Sequence, residues 1–157
     1  MIHTRFTAQL AAALVLTLPA AQALASGEHG HAFGHAGKPG EVDRTVQVEA
    51  SDTAYDREQI SVEPGETVRF VVKNTGSMRH AFAIGPADFQ KAHRKEMREM
   101  MRGGGDGMRH DDPNAVMVEP GETAEVIWRF DRVQEIEFAC NVPGHYQAGM
   151  KGDFVRP

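Results

Sequence analysis

Four stretches of this chain alternate apolar and polar residues with a period of two, and that alternation restricts it to a fold of half-buried strands. Val46, Val48 and Ala50 face one way with Thr45, Gln47 and Glu49 the other. Val68, Phe70 and Val72 alternate with Arg69 and Lys73, and Val126, Trp128 and Phe130 alternate with Glu125 and Arg129. Ile136, Phe138 and Cys140 form the fourth set, which puts the cysteine at the inner end of a strand. The pentapeptide Glu-Pro-Gly-Glu-Thr occurs at Glu63–Thr67 and again at Glu119–Thr123, each time directly before an alternating stretch. Pro-Gly is a turn signal. The flanking segments show no further match, so the repeat reads as two similar tight turns and not as a duplication. Short strands with turns at this spacing predict an all-β fold, an antiparallel β-sandwich with Greek-key connections.

The segments outside the strands divide the chain. His3 and Arg5 precede the apolar run Leu10–Leu18, and Ala23-Leu24-Ala25 offers a small-x-small cleavage site, so residues 1–25 read as a secretory signal peptide and Ser26 as the first mature residue. The run is shorter than the roughly 20 apolar residues of a bilayer span, which predicts a periplasmic product with no membrane span. Losing Arg5 with the leader takes the formal net charge from −5 to about −6 and argues against a nucleic-acid partner. Residues 26–41 are rich in Gly and His without aliphatic periodicity and read as a flexible tail. One domain, 42–157, remains. Within it, 86–114 breaks the β pattern as a helical insertion. Strong helix formers run from Pro86 to about Arg102, and Gly103-Gly104-Gly105 ends them.

The chemistry concentrates at the single cysteine. Cys140-Asn-Val-Pro-Gly-His145-Tyr-Gln-Ala-Gly-Met150 spaces a thiol, an imidazole and a thioether five residues apart. A lone cysteine is unusual in an exported chain, where cysteines pair as disulfides; holding it on a metal accounts for it. Thiolate, imidazole and a weak thioether together favour copper in an electron-transfer site, whereas zinc seldom uses methionine. His80, at the start of a strand after the Asn74-Thr75-Gly76 turn, is the fourth candidate ligand. Gly144 and Gly149 let the chain turn into His145 and Met150.

With these residues in place, the segment from about Val42 to Pro157 resembles the cupredoxin family, the type 1 copper proteins of the plastocyanin/azurin kind. The resemblance implies a trigonal His80–Cys140–His145 copper site with Met150 axial. One departure is visible: an Asn follows the upstream His in the best-known members, and here Ala81 follows His80. A binuclear centre needs two bridging cysteines, and a multicopper oxidase needs a His-Cys-His run, but Ala139 and Asn141 flank Cys140. The chain is therefore expected to be no enzyme.

Two clusters exceed what a minimal electron carrier needs: His29, His31 and His35 in the tail, and His93, Met97, Met100, Met101, Met108 and His110 in the insertion. Imidazoles suit Cu(II) and thioethers Cu(I), so a weaker additional copper at the tail is one expectation. For the helix, packing of Met97, Met100 and Met101 onto the sandwich is the simpler one. The surplus resembles periplasmic cupredoxin-like proteins of bacterial copper tolerance. That makes copper tolerance or homeostasis the first functional expectation and a diffusible periplasmic electron carrier the second. The partners are copper itself and a transient redox or copper-transfer protein.

Overall fold

The structure, a computed structural model, describes residues 31–103 and 112–157. Within them, ten strands and one long helix carry the pattern predicted above. In chain order the elements are β1 (Gly34–Ala36), β2 (Arg44–Ser51), β3 (Ala54–Tyr55), β4 (Gln59–Ser61), β5 (Thr67–Asn74), β6 (His80–Gly85), α1 (Ala87–Arg102), β7 (Ala115–Val118), β8 (Thr123–Phe130), β9 (Glu137–Ala139) and β10 (Lys151–Val155). The strands form two five-stranded sheets, ordered β1-β8-β5-β2-β3 and β4-β10-β9-β6-β7. Their inner faces meet through aromatic rings: Phe70 contacts Phe82 and Phe154 at 5.5 and 5.6 Å between centroids. Every residue of the four alternating apolar sets is buried, down to Cys140. Among the described residues no helix is long and apolar enough to cross a membrane.

Two expectations need correction. The sheets are mixed: β2 pairs with β5 in parallel, as β10 does with β4. Alternation reports which face is buried and carries no information on strand direction, so the purely antiparallel expectation had no physical support at those pairs. The supposed flexible tail is ordered from His31 onward. β1 pairs antiparallel with Trp128–Phe130 of β8, and Phe33 is only 3% exposed, stacked on His31 and tilted against Trp128. One aromatic side chain and three strand residues suffice to dock a Gly/His-rich segment, although they are too few to leave a periodic signal. The rest of that segment, and the leader 1–25, lie outside the described residues.

α1 occupies Ala87–Arg102, and Gly103 closes it by donating its N–H to the carbonyls of Glu99 and Met100. The helix lies on the outer face of the second sheet. β6 and β9 are buried along their whole length for this reason, with the core on one side and the helix on the other. The outward residues of β6 are small, namely Ala81, Ala83 and Gly85. At Gly85 a Cβ would lie 2.4 Å from the Phe89 ring, so the close approach of helix to sheet requires glycine there.

Candidate metal centre

Adjacent strands bring the site together. His80 opens β6, Cys140 directly follows β9, and these two strands pair antiparallel through Ala83↔Ala139. Cys140 and Met150 face each other across the neck of the β9–β10 connection, where the Cys140 N–H donates to the Met150 carbonyl at 3.0 Å. Inside that neck the loop is a series of turns: His145 N–H donates to Val142 O at 3.0 Å and Met150 N–H to His145 O at 3.0 Å. Gly144 and Gly149 adopt φ of +93° and +96°, and no atom lies within 4 Å of where a Cβ would be. Backbone conformation, not space, therefore demands glycine at both positions.

The side chains of His80, Cys140 and His145 converge, with their ligand atoms all within 4.8 Å of one another and all three residues buried. Cys140 Sγ lies 3.9 Å from His80 Nδ1 and 3.4 Å from His145 Nδ1. A thiol has one proton and can donate to only one of these nitrogens. A metal explains both separations. Bonds of about 2.0 Å to nitrogen and about 2.3 Å to sulfur at trigonal angles put N and S about 3.7 Å apart. The donor set thus fits one first-row ion between thiolate and imidazoles. Met150 is fully buried beside Cys140 in the sheet register.

Electrostatics prepare two of the three donors. Burial pushes the Cys140 thiol up from 9.0 to about 11, against the backbone N–H groups of Ala81 and Val142, which favour the thiolate. Burial also holds both histidines below 6.5, reinforced at His80 by the neighbouring His145 and opposed at both by Asp52. At neutral pH the metal-free site therefore contains two neutral imidazoles, already in ligand form, and one thiol that must lose its proton to bind.

The Asn missing after His80 is replaced by other contacts. Ala81 N–H donates to Cys140 Sγ at 3.3 Å, and Tyr55 O–H donates to the Ala81 carbonyl, so the peptide of Ala81 is held on both sides. The loop before His80 is fastened by two side chains that the sequence reading did not single out. Asp52 accepts from Ser77 N–H at 2.7 Å, Ser77 Oγ at 2.9 Å and Met78 N–H at 3.2 Å, bonds that lower its pKa. Asn74 donates to Met78 O at 2.7 Å and Val118 O at 2.9 Å. Asp52 Oδ1 also faces His80 Nε2 at 3.9 Å; that buried nitrogen makes no hydrogen bond among the described residues. The Asp52-Thr53 pair after a strand marks a turn, which was the available signal.

The additional histidines do not gather with one another or with acidic side chains into a second cluster of three among the described residues. His31 stacks on Phe33 at 4.9 Å, while His35 Nδ1 lies 3.3 Å from Asp131 Oδ2. His93 and Met97 are buried beneath the helix, Met100 packs partly against the core, and Met101 is 43% exposed. His29, Met108 and His110 lie outside the described residues. Packing accounts for Met97 and Met100; Met101 departs from it.

Comparison with known proteins agrees with this geometry. Residues 42–155 match the family model described as copper binding proteins of the plastocyanin/azurin family. The chain is 41% identical to a copper-resistant cuproprotein, CopI, of Pseudomonas aeruginosa, covering 86% of this chain and 88% of that one. It is 44% identical to CopI of Rubrivivax gelatinosus, over 86% and 87% of the two chains. Among solved structures, auracyanin B superposes with a TM-score of 0.63 at 25% identity, over 82% of this chain and 96% of that one. Dithionite-reduced auracyanin of Roseiflexus castenholzii gives 0.62 at 26%, over 74% and 98%.

Proposed function

The chain belongs to the plastocyanin/azurin family of copper-binding proteins, and within that family we propose that it is an exported, mononuclear type 1 copper protein that protects the periplasm against excess copper. His80, Cys140 and His145 would hold the ion, and Met150 would supply a thioether beside them. The observation that carries this reading is the convergence of one buried sulfur and two Nδ1 atoms at 3.4 and 3.9 Å on a chain with no other cysteine. Copper bound there supplies a one-electron couple and a strong thiolate-to-Cu(II) charge-transfer absorption. The chain's own residues exclude water from the donors, keep both imidazoles neutral and fix the loop that carries three of the four donors. No residue is assigned a catalytic role. Relatives at 41% and 44% identity that bear the name copper-resistant cuproprotein support protection over electron carriage.

Electron transfer is the second reading, and one observation favours it. His145 is 8% exposed and sits beside exposed Pro143, Gly144 and Ala148, an opening through which a redox partner reaches a ligand edge. A chromosomal deletion separates the two. Copper-sensitive growth with normal respiration, restored by the wild-type chain and not by Cys140→Ser, is the expected result. Impaired respiration with unchanged copper tolerance would reverse the ranking. Export through residues 1–25 is tested by the amino-terminal sequence of the periplasmic protein, expected to start at Ser26.

A further inference from the structure

Strand parity sends Cys140 inward to the two histidines and the next residue, Asn141, outward to α1. There Asn141 is fully buried and meets two helix side chains, Gln90 and His93. Gln90 Nε2 donates to Ala83 O at 2.8 Å, with Glu137 O at 3.4 Å and Gly85 O at 3.5 Å. Three carbonyl oxygens around one amide group fix its nitrogen toward the sheet, so its Oε1 must point away. That Oε1 accepts from Asn141 Nδ2 at 2.6 Å, and the second Nδ2 hydrogen points to His93 Nδ1 at 2.7 Å. His93 Nδ1 is then the acceptor and Nε2 carries the proton, toward Asp112 Oδ2 at 3.8 Å. Each orientation is set by the one before it, and reversing either amide would oppose oxygen to oxygen. One residue further along the helix, the Arg94 guanidinium lies 3.6 Å over the ring of Tyr146, the neighbour of His145. The helix therefore touches the loop next to Cys140 and again next to His145.

A helix that only covered a sheet would bury apolar residues at these positions, because an amide taken from water without partners is costly. We propose that Gln90 and His93 are positioning residues of the metal centre: by gripping Asn141 they hold the Cys140–His145 loop in its ligand-binding conformation before the ion arrives. The inserted helix is thus part of the site's outer shell, acting through the backbone and not through a ligand ring. This rests on reading the cluster as a copper site.

The test uses the full mature chain, metal-free and copper-loaded. Gln90→Met and Asn141→Leu remove the hydrogen bonds with little change in volume. Val48→Ala, a buried core truncation on β2 in the sheet that does not carry α1, lowers stability and serves as the control. In the metal-free protein the amides of residues 142–149 are expected to exchange at least about tenfold faster in both bond-deleting variants and unchanged in Val48→Ala. Copper affinity, read by chelator competition, is expected to fall about 10- to 100-fold in those two variants. Wild-type loop exchange and wild-type affinity in a folded Gln90→Met protein would overturn the proposal. The wild type supplies a check that needs no substitution: the side-chain amide protons of Asn141 are expected to be strongly protected in its NMR spectrum, and free exchange there would equally overturn it. A wild type that binds no copper would instead sink the metal reading, while loop exchange and Asn141 protection still judge the grip.

Discussion

Copper uptake should release close to one proton per chain across an unusually wide pH range. Burial holds the Cys140 thiol at about 11, so at pH 7 the thiolate lies four pH units, about 5 kcal/mol, above the resting thiol. The imidazoles are mostly neutral at pH 7.5 and above, because burial holds both below 6.5. Binding of Cu(I), measured anaerobically against a chromogenic chelator, should therefore gain tenfold in apparent affinity for each pH unit from 7.5 to about 10. Calorimetry in two buffers of different ionisation enthalpy should count about one proton at pH 7.5. An accessible thiol titrating at its ordinary 9.0 would flatten the affinity curve about two pH units earlier. A plateau beginning near pH 9, or no proton released at pH 7.5, would refute the derivation from burial. Cys140→Ser should abolish both the proton count and the charge-transfer colour.

Three further outcomes follow from particular contacts. Metal-free protein should lose stability as pH rises from 9 to 11: the unfolded thiol ionises first, and the rise from 9.0 to about 11 on folding corresponds to about 3 kcal/mol, all lost above the folded value. Denaturant midpoints against pH check this, and metal-free Cys140→Ser should lose the slope between pH 9 and 10, keeping only the loss at higher pH that comes from Tyr55, whose hydroxyl burial also pushes up. Phe33→Ala should cost about 3–5 kcal/mol in urea unfolding, since Phe33 is packed on Trp128 and Phe89; a loss under about 1 kcal/mol would return residues 31–36 to the status of a loose tail. Asp52→Ala should speed amide exchange at Ser77 and Met78, and Asp52→Asn should restore most of the protection. In the wild type that protection should hold down to pH 3.8 and weaken only below it, because the bonds from Ser77 and Met78 depress the Asp52 carboxyl. Loss of protection already at pH 5 would contradict that assignment.

Much of the centre was legible because its ligands obey local rules. Alternation at Ile136, Phe138 and Cys140 fixes which side of β9 the thiol faces, and parity alone then commits Asn141 to the other side. The turns at Gly144 and Gly149 read from glycine's access to positive φ. What stayed hidden depends on partners distant in the chain. Nothing in Val46–Ala50 or Val68–Val72 says that β2 and β5 run parallel, because hydrogen-bond direction leaves no trace in side-chain pattern. Phe33 in a Gly/His run gives no period, yet Trp128 offers it a surface.

Side-chain chemistry within a single turn, strand or helix was enough to establish the strand faces, the helix with its glycine stop, and the identity and spacing of Cys140, His145 and Met150. His80 was readable as a candidate from its turn, but its 3.9 Å approach to Cys140 is a product of packing, as are the hold of Asp52 and Asn74 on the upstream loop and the reach of Gln90 and His93 to Asn141. Apart from the Asn74–Met78 bond, those contacts join residues 25 to 60 positions apart. Their existence depends on how the two sheets and α1 stack, a property of the packed core that no local pattern records.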